Sequence, residues 1–321
     1  MDFSLVFLLA AFGGGVFGAS IGGQPAFIFT GFMVMIGVAN SLAGGGFDFL
    51  GNVAFGPVFG PHISFAGGAA AAAFAARRGV LESGRDIGTP LAGTKDPMVL
   101  VVGGLFGMGG YLVNAGLASV LALAGVNGGD PIPLTDTVAL TVGISAIAAR
   151  LMFSSTGLFG IMEDEDRERG RLVPGGAHVW VEHQQNLLQS TMIGLGAGLL
   201  SGYVVATFTE ASADFAAGAG ILMFGVSAVS LILLQFGLPG PVTHHMSLPA
   251  AVAAAGALSL GLGGGAALVA GAVGGVLGAL LGEFYSRLFL IHGDTHVDPP
   301  AFAIFTMATV VVVIRLLGGG V

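Results

Sequence analysis

The chain has 321 residues, 54% of them hydrophobic and only 9% charged, with a formal net charge of −8 and a mean hydropathy of +0.92. Soluble domains carry roughly 25% charged residues, so this composition excludes an ordinary water-soluble surface and points to lipid as the surrounding solvent. The lack of cysteine excludes disulfides, thiolate metal sites and thiol nucleophiles, and the lack of a basic patch argues against nucleic-acid partners.

A helix that crosses the hydrocarbon needs about 20 mostly apolar residues. Ten stretches qualify or nearly do: Phe3 to Gly22, Phe27 to Phe47, His62 to Ala76, Met98 to Ala124, Leu134 to Phe153, Ser190 to Phe208, Phe215 to Phe236, His245 to Gly261, Ala266 to Glu283 and Pro300 to Leu317. The first opens with Asp2 and has no Lys or Arg before its apolar run, so it reads as a retained span rather than a cleaved signal. Gln24 and Pro25 fall where a turn between spans one and two is expected. The third and eighth stretches are short, and the segment before the third, Phe47 to Pro61, is too apolar for an aqueous loop and too broken by Gly and Pro for a helix. Irregular backbone at membrane depth is tolerated only inside protein or along a water-filled cavity, so a re-entrant loop ahead of a short third helix is expected. The uncharged run from Met246 to Gly282 is too long for one crossing and is divided at Leu262 to Gly265.

Lys and Arg set the orientation. With ten spans, Arg77, Arg78, Arg85, Lys95, Arg150, Arg167, Arg169, Arg171 and Arg287 fall on one face and only Arg315 on the other. The positive-inside rule then predicts a multi-pass cell-membrane protein with both termini outside. Residues 154–186 are the one long polar stretch, read as a solvated cytoplasmic linker between the halves. The expected organisation is a first repeat over 1–155, the linker over 156–188 and a second repeat over 189–321.

Self-similarity supports that division. Gly60-Pro61-His62-Ile63-Ser64-Phe65 resembles Thr243-His244-His245-Met246-Ser247-Leu248, each followed by an Ala-rich run. Gly107 and Gly110 match Gly275 and Gly278, Gly129-Asp130 matches Gly293-Asp294, and Arg150-Leu151 matches Arg315-Leu316, all in the same order. Five spans per copy is an odd number, so the copies must be inverted. The expected fold is therefore an all-α integral membrane protein of about ten helices in two inverted five-helix repeats, with short or re-entrant third and eighth helices. This five-plus-five plan resembles that of urea channels and sodium-coupled amino-acid symporters in plan alone, since none of their motifs occurs here.

Inverted repeats place a site near mid-depth, which makes a channel or transporter for a small solute or ion the leading expectation. His62, Ser64, His245 and Ser247 would face one another across the pseudo-axis, with Asp48, Asn52, His244 and Gln24 as further pathway residues. A second constellation, His292, Asp294, His296 and Asp298, places two imidazoles and two carboxylates at alternate positions and is a candidate divalent-cation site. It would support the alternative of an intramembrane metal-dependent enzyme or a divalent-metal transporter. No P-loop, HExxH or GxSxG motif occurs. Glu210, Asp214 and Glu283 are expected at water-facing span ends, and the flat Gly/Ala faces favour homo-oligomers within the bilayer.

Overall fold

The computed structural model describes residues 4–123, 132–212 and 216–319, so Asp130, its neighbour Gly129 and Asp214 lie outside the described residues. The ten longest helices described are α1 (Leu5–Ile21), α2 (Gly23–Leu42), α3 (Ala66–Arg77), α4 (Pro97–Val120), α5 (Thr137–Phe153), α6 (Leu187–Ala211), α7 (Ala216–Ser230), α8 (His244–Ser259), α9 (Gly264–Tyr285) and α10 (Pro299–Leu317). Each falls on one of the ten apolar stretches. Six segments are long and apolar enough to cross a membrane: Gly23–Leu42, Pro97–Val120, Leu187–Ala211, Gly218–Gln235, Gly264–Leu290 and Pro299–Leu317. The described strands are a two-residue pair, Ala122–Leu123 against Ile132–Pro133, so the fold is all-helical in substance.

Helix starts follow capping chemistry. Asp96, Asp136 and Asp298 accept hydrogen bonds from backbone N–H groups in the first turns of α4, α5 and α10, and Asn186 does the same for α6. Prolines stand at the first positions of α4 and α10, where the missing N–H would be unpaired anyway. The turn between α1 and α2 is a single residue, Gly22, at φ 94°. This corrects the expected Gln24-Pro25 turn: both residues sit in the first turn of α2, which a proline tolerates. The long uncharged run divides at Gly261, whose φ of 74° turns the chain two residues after Ser259, the last residue of α8.

Packing recurs between the two halves. Helix α1 lies along α4 as α6 lies along α9, α3 packs on α4 and α5 as α8 packs on α9 and α10, and the halves meet through α2 against α7 and α5 against α10. Glycines allow these approaches: Gly15 abuts Gly103 and Gly107, and Gly198 abuts Gly271 and Gly275. A Cβ on Gly110 would strike the carbonyl of His62, and one on Gly278 would strike the carbonyl of His245. Small residues at these crossings let backbones touch, which replaces the hydrophobic drive that lipid does not supply.

The centre of the molecule is where 61–73 and 244–251 run, each buried at every consecutive position. A helix buried all round needs no amphipathic stripe, which is why these segments show none and continue into Ala-rich runs after the few polar residues at their starts. Burial is reversed on the outer helices. Leu188, Met192, Leu199 and Tyr203 on α6, and Val269, Val273, Leu277, Leu280 and Phe284 on α9, are exposed at helical spacing. Large apolar stripes turned outward are the surface that lipid requires.

Residues 154–186 expose many of their side chains, as a solvated linker would, but they are also fastened to the helices. Arg150, fully buried, donates to the carbonyls of Gly157, Leu158, Phe289 and Thr295. Arg85 reaches the carbonyl of Val179, and Arg287 those of Leu172 and Gln185. Gln184, also fully buried, bonds both the N–H and the carbonyl of Val242 ahead of α8. Glu283 is likewise no water-facing residue: it is 2% exposed and paired with Arg287 at 3.1 Å. Basic side chains here serve as carbonyl ligands that fasten the polar segment as a folded cap.

Candidate functional site

A cavity of about 670 Å³ lies where the two halves meet. That is within the range of about 300–1,000 Å³ typical of small-molecule sites. It is lined by matching positions from both halves: Phe27 and Phe224 from α2 and α7, Phe65 and Leu248 from the buried segments, and Val138, Ala139 and Val142 of α5 opposite Pro300, Ala301 and Ile304 of α10. The rings of Phe27 and Phe224 meet edge to face at 5.7 Å. Asp136 and Asp298, the caps of α5 and α10, both border the cavity. Its wall is otherwise apolar, with polar groups at a few points.

One of those points is His296, whose Nε2 lies 3.1 Å from Asp298 Oδ1 while Asp298 Oδ2 accepts from Ala301 N. The His244 ring lies tilted against Phe27 at 4.7 Å, and Gln24 donates weakly to the Leu231 carbonyl at 3.4 Å. Ser83, Arg85 and Asp86 from the loop after α3, together with Trp180 and Val181 from the cap, also line the cavity. The cap therefore covers the space between the halves.

A second cavity of about 430 Å³ lies in front of α3, lined by Phe7, Asp48, Asn52, Phe55, His62 and Tyr111 among others. Its approach contains a π-helical turn over Leu50–Ala54, and Asp48 caps this turn by accepting from Gly51 N at 2.8 Å. Asn52 donates to the Asp48 carbonyl. Phe55 borders both cavities and is the side chain they share.

The predicted residues thus separate. Gln24, His244, His296 and Asp298 line the central cavity; Asp48, Asn52 and His62 line the second. Ser64, His245 and Ser247 are fully buried and border neither. The two serines donate back to helix carbonyls, Ser64 to Gly60 and Ser247 to His244. His245 packs at 5.4 Å against Trp180 and against Gly282. The expected quartet facing across an axis is not assembled, because the two histidines share a backbone position but not a side-chain environment.

The four-residue metal set is not assembled either. His292 points to Asp166, Asp294 is held by Ser154, Ser155 and Thr156, and His296 and Asp298 face the central cavity. Residues two apart in an extended chain share a face but are spaced about 6–7 Å along it, so without a curl these four meet different neighbours. Burial acts to raise the pKa of Asp294, but hydrogen bonds from the Ser154 hydroxyl, the Ser155 N–H and hydroxyl, and the Thr156 hydroxyl outweigh it and hold the carboxyl below its ordinary value. Asp166 behaves in the same sense. Burial opposes ionisation, while the Glu163 N–H, His178, Arg169 and His292 more than compensate.

Sequence reasoning missed Asp136, Phe27, Phe224 and Trp180. The caps were legible as Asp one or two residues ahead of an apolar helix; the aromatic residues were indistinguishable from lipid-facing ones.

An all-helical chain with six apolar helices of spanning length fits a membrane-embedded protein. The chain belongs to a family of unknown function, DUF7973, whose model matches residues 1–167 and 161–319. No curated protein and no solved structure matches it.

Proposed function

We propose that the protein is a multi-pass cell-membrane channel or transporter for a small solute, built from two inverted five-helix repeats with the pathway between them. The carrying observation is the central cavity lined by matching positions of both halves. The recurrent helix packing and the matched Gly110–His62 and Gly278–His245 contacts support the repeat, as does a family model that fits two successive stretches of similar length. In this reading the central cavity and the cavity before α3 are two parts of one path, and Phe55 separates them. The central lining carries Asp86, Asp136 and Asp298 against Arg85, which favours a neutral or cationic solute over an anion. The cap and the loop carrying Arg85 lie on the inner face, and both termini lie outside.

The test is solute flux in proteoliposomes with Ala139→Trp and Ala301→Trp, which fill the cavity from either half. Wild-type protein is expected to pass a small neutral or cationic solute, and each variant that elutes as a monodisperse folded species is expected to lose that flux. Flux unchanged in both variants would remove the cavity from the pathway.

A further inference from the structure

Outside the two cavities, three side chains distant in sequence converge on the underside of the cap. Asp166 is fully buried; His178 Nδ1 lies 2.8 Å from its Oδ2 and His292 Nδ1 lies 3.5 Å from the same oxygen. The three potential ligand atoms all fall within 4.8 Å of one another. Asp166 Oδ1 is engaged by Arg169 at 2.6 Å and Oδ2 by the Glu163 N–H at 3.3 Å, so the face of Oδ2 toward the imidazoles is what remains.

The tautomer of His292 is fixed by its far side. Its Nε2 is 3.1 Å from the carbonyl oxygen of Arg171. A carbonyl only accepts, so Nε2 carries a proton; in the neutral ring Nδ1 then turns a lone pair toward a carboxylate oxygen, whereas a protonated ring would pair with Asp166 there. With the ring neutral, two acceptors face each other across a gap with no hydrogen bond, in a side chain 1% exposed. Buried polar atoms are rarely left so, and a cation between them resolves the opposition. An imidazole whose other nitrogen donates to a backbone carbonyl is also the usual arrangement of a metal-bound histidine.

We infer that Asp166, His178 and His292 bind a divalent transition-metal ion of the zinc type and so clip residues 166–178 of the cap to the loop before α10. Two imidazole nitrogens and one carboxylate oxygen suit zinc and exclude magnesium and calcium, which take oxygen donors. The partly exposed edge of His178 leaves room for water as a fourth ligand, and the guanidinium of Arg169 moderates the affinity. Trp180, two residues beyond His178, lines the central cavity and packs on His245, so the ion fixes the side chain that covers that space. The site concerns the cap and stands whether or not a solute passes beneath it.

The chain has one tryptophan, so its emission reports Trp180 alone. Chelator-treated full-length protein in detergent is titrated with zinc chloride, and separately with magnesium chloride, by calorimetry and by fluorescence. One zinc ion per chain with a saturable change in Trp180 emission is expected, with no response to magnesium. His178→Gln and His292→Gln should each abolish both signals while His296→Gln keeps them; using two separate site variants guards against one failing to fold. Absence of saturable zinc binding, or binding retained in both site variants, overturns the inference. So does an emission change produced equally by lowering the pH without zinc, which would make the contact a protonated histidine pair.

Discussion

The chain approaches α3 and α8 through equivalent backbone and finishes in opposite surroundings. In both, a histidine carbonyl rests against a glycine of the neighbouring helix, Gly110 or Gly278. Both side chains are fully buried, yet His62 borders a cavity beside Asp48 and Asn52, whereas His245 borders none and packs against Trp180 of the cap. Both α3 and α8 are approached through Gly/Pro-broken stretches, 56–61 and 237–241, but only His245 is also met by the polar segment 154–186, which folds over it through Trp180. One backbone plan therefore leaves a cavity beside one histidine and packs the other against the cap, a segment with no counterpart in the first half.

The comparison is tested most severely where the halves are most alike. Gly110→Ala and Gly278→Ala each force a Cβ into a main-chain carbonyl that has no rotamer to retreat to, and each is expected to destabilise the protein by about 3 kcal/mol. Thermal unfolding in detergent measures this, and one variant being tolerated while the other is not would break the equivalence. The next effect probes the side that meets the cap. Trp180→Ala removes a half-buried ring and is expected to cost about 2 kcal/mol, less than the roughly 3–5 kcal/mol of a fully buried aromatic. Because the chain has no cysteine, a single cysteine at Ile304 reports the cavity directly. Its reaction with a polar thiol reagent should accelerate in the Trp180→Ala background, and an unchanged rate would mean the cap does not cover the cavity.

The smallest effect concerns how the cap is tied down. Asp294 has its pKa depressed in the folded state, so its contribution is complete above the unfolded value of about 3.9 and is lost as pH falls through the lower folded value. Asp294→Asn should therefore lower stability by about 1 kcal/mol near neutrality, with the gap closing in acid. A series of unfolding temperatures against pH measures it, and a gap that persists in acid would show that the carboxylate charge is not what holds Ser154 to Thr156 in place.

Much of the helical layout was legible in the sequence, because a bilayer imposes apolar runs of fixed length and leaves turn glycines such as Gly261 visible between them. The recurrence of His62 and His245 was legible for a similar reason: close helix contacts demand small residues at fixed places, so Gly110 and Gly278 repeat with them. The site was only half legible. Gln24, His244, His296 and Asp298 do border the central cavity, but alternation along 292–298 suggested a shared ligand set where the extended backbone in fact divides His292 and Asp294 from His296 and Asp298. The polarity of 154–186 signals exposure to water, which many of its residues have, but polarity alone does not show that its carbonyls are also held by Arg85, Arg150 and Arg287.

What the sequence determined by itself was the class of environment, the helix positions and their caps, since these depend on hydropathy and on contacts within a few residues. Tertiary structure alone decided that the polar segment is a cap, that matching faces of the halves enclose one cavity, and that Asp166, His178 and His292 meet. Those outcomes depend on contacts between residues far apart in the chain, which no local pattern records.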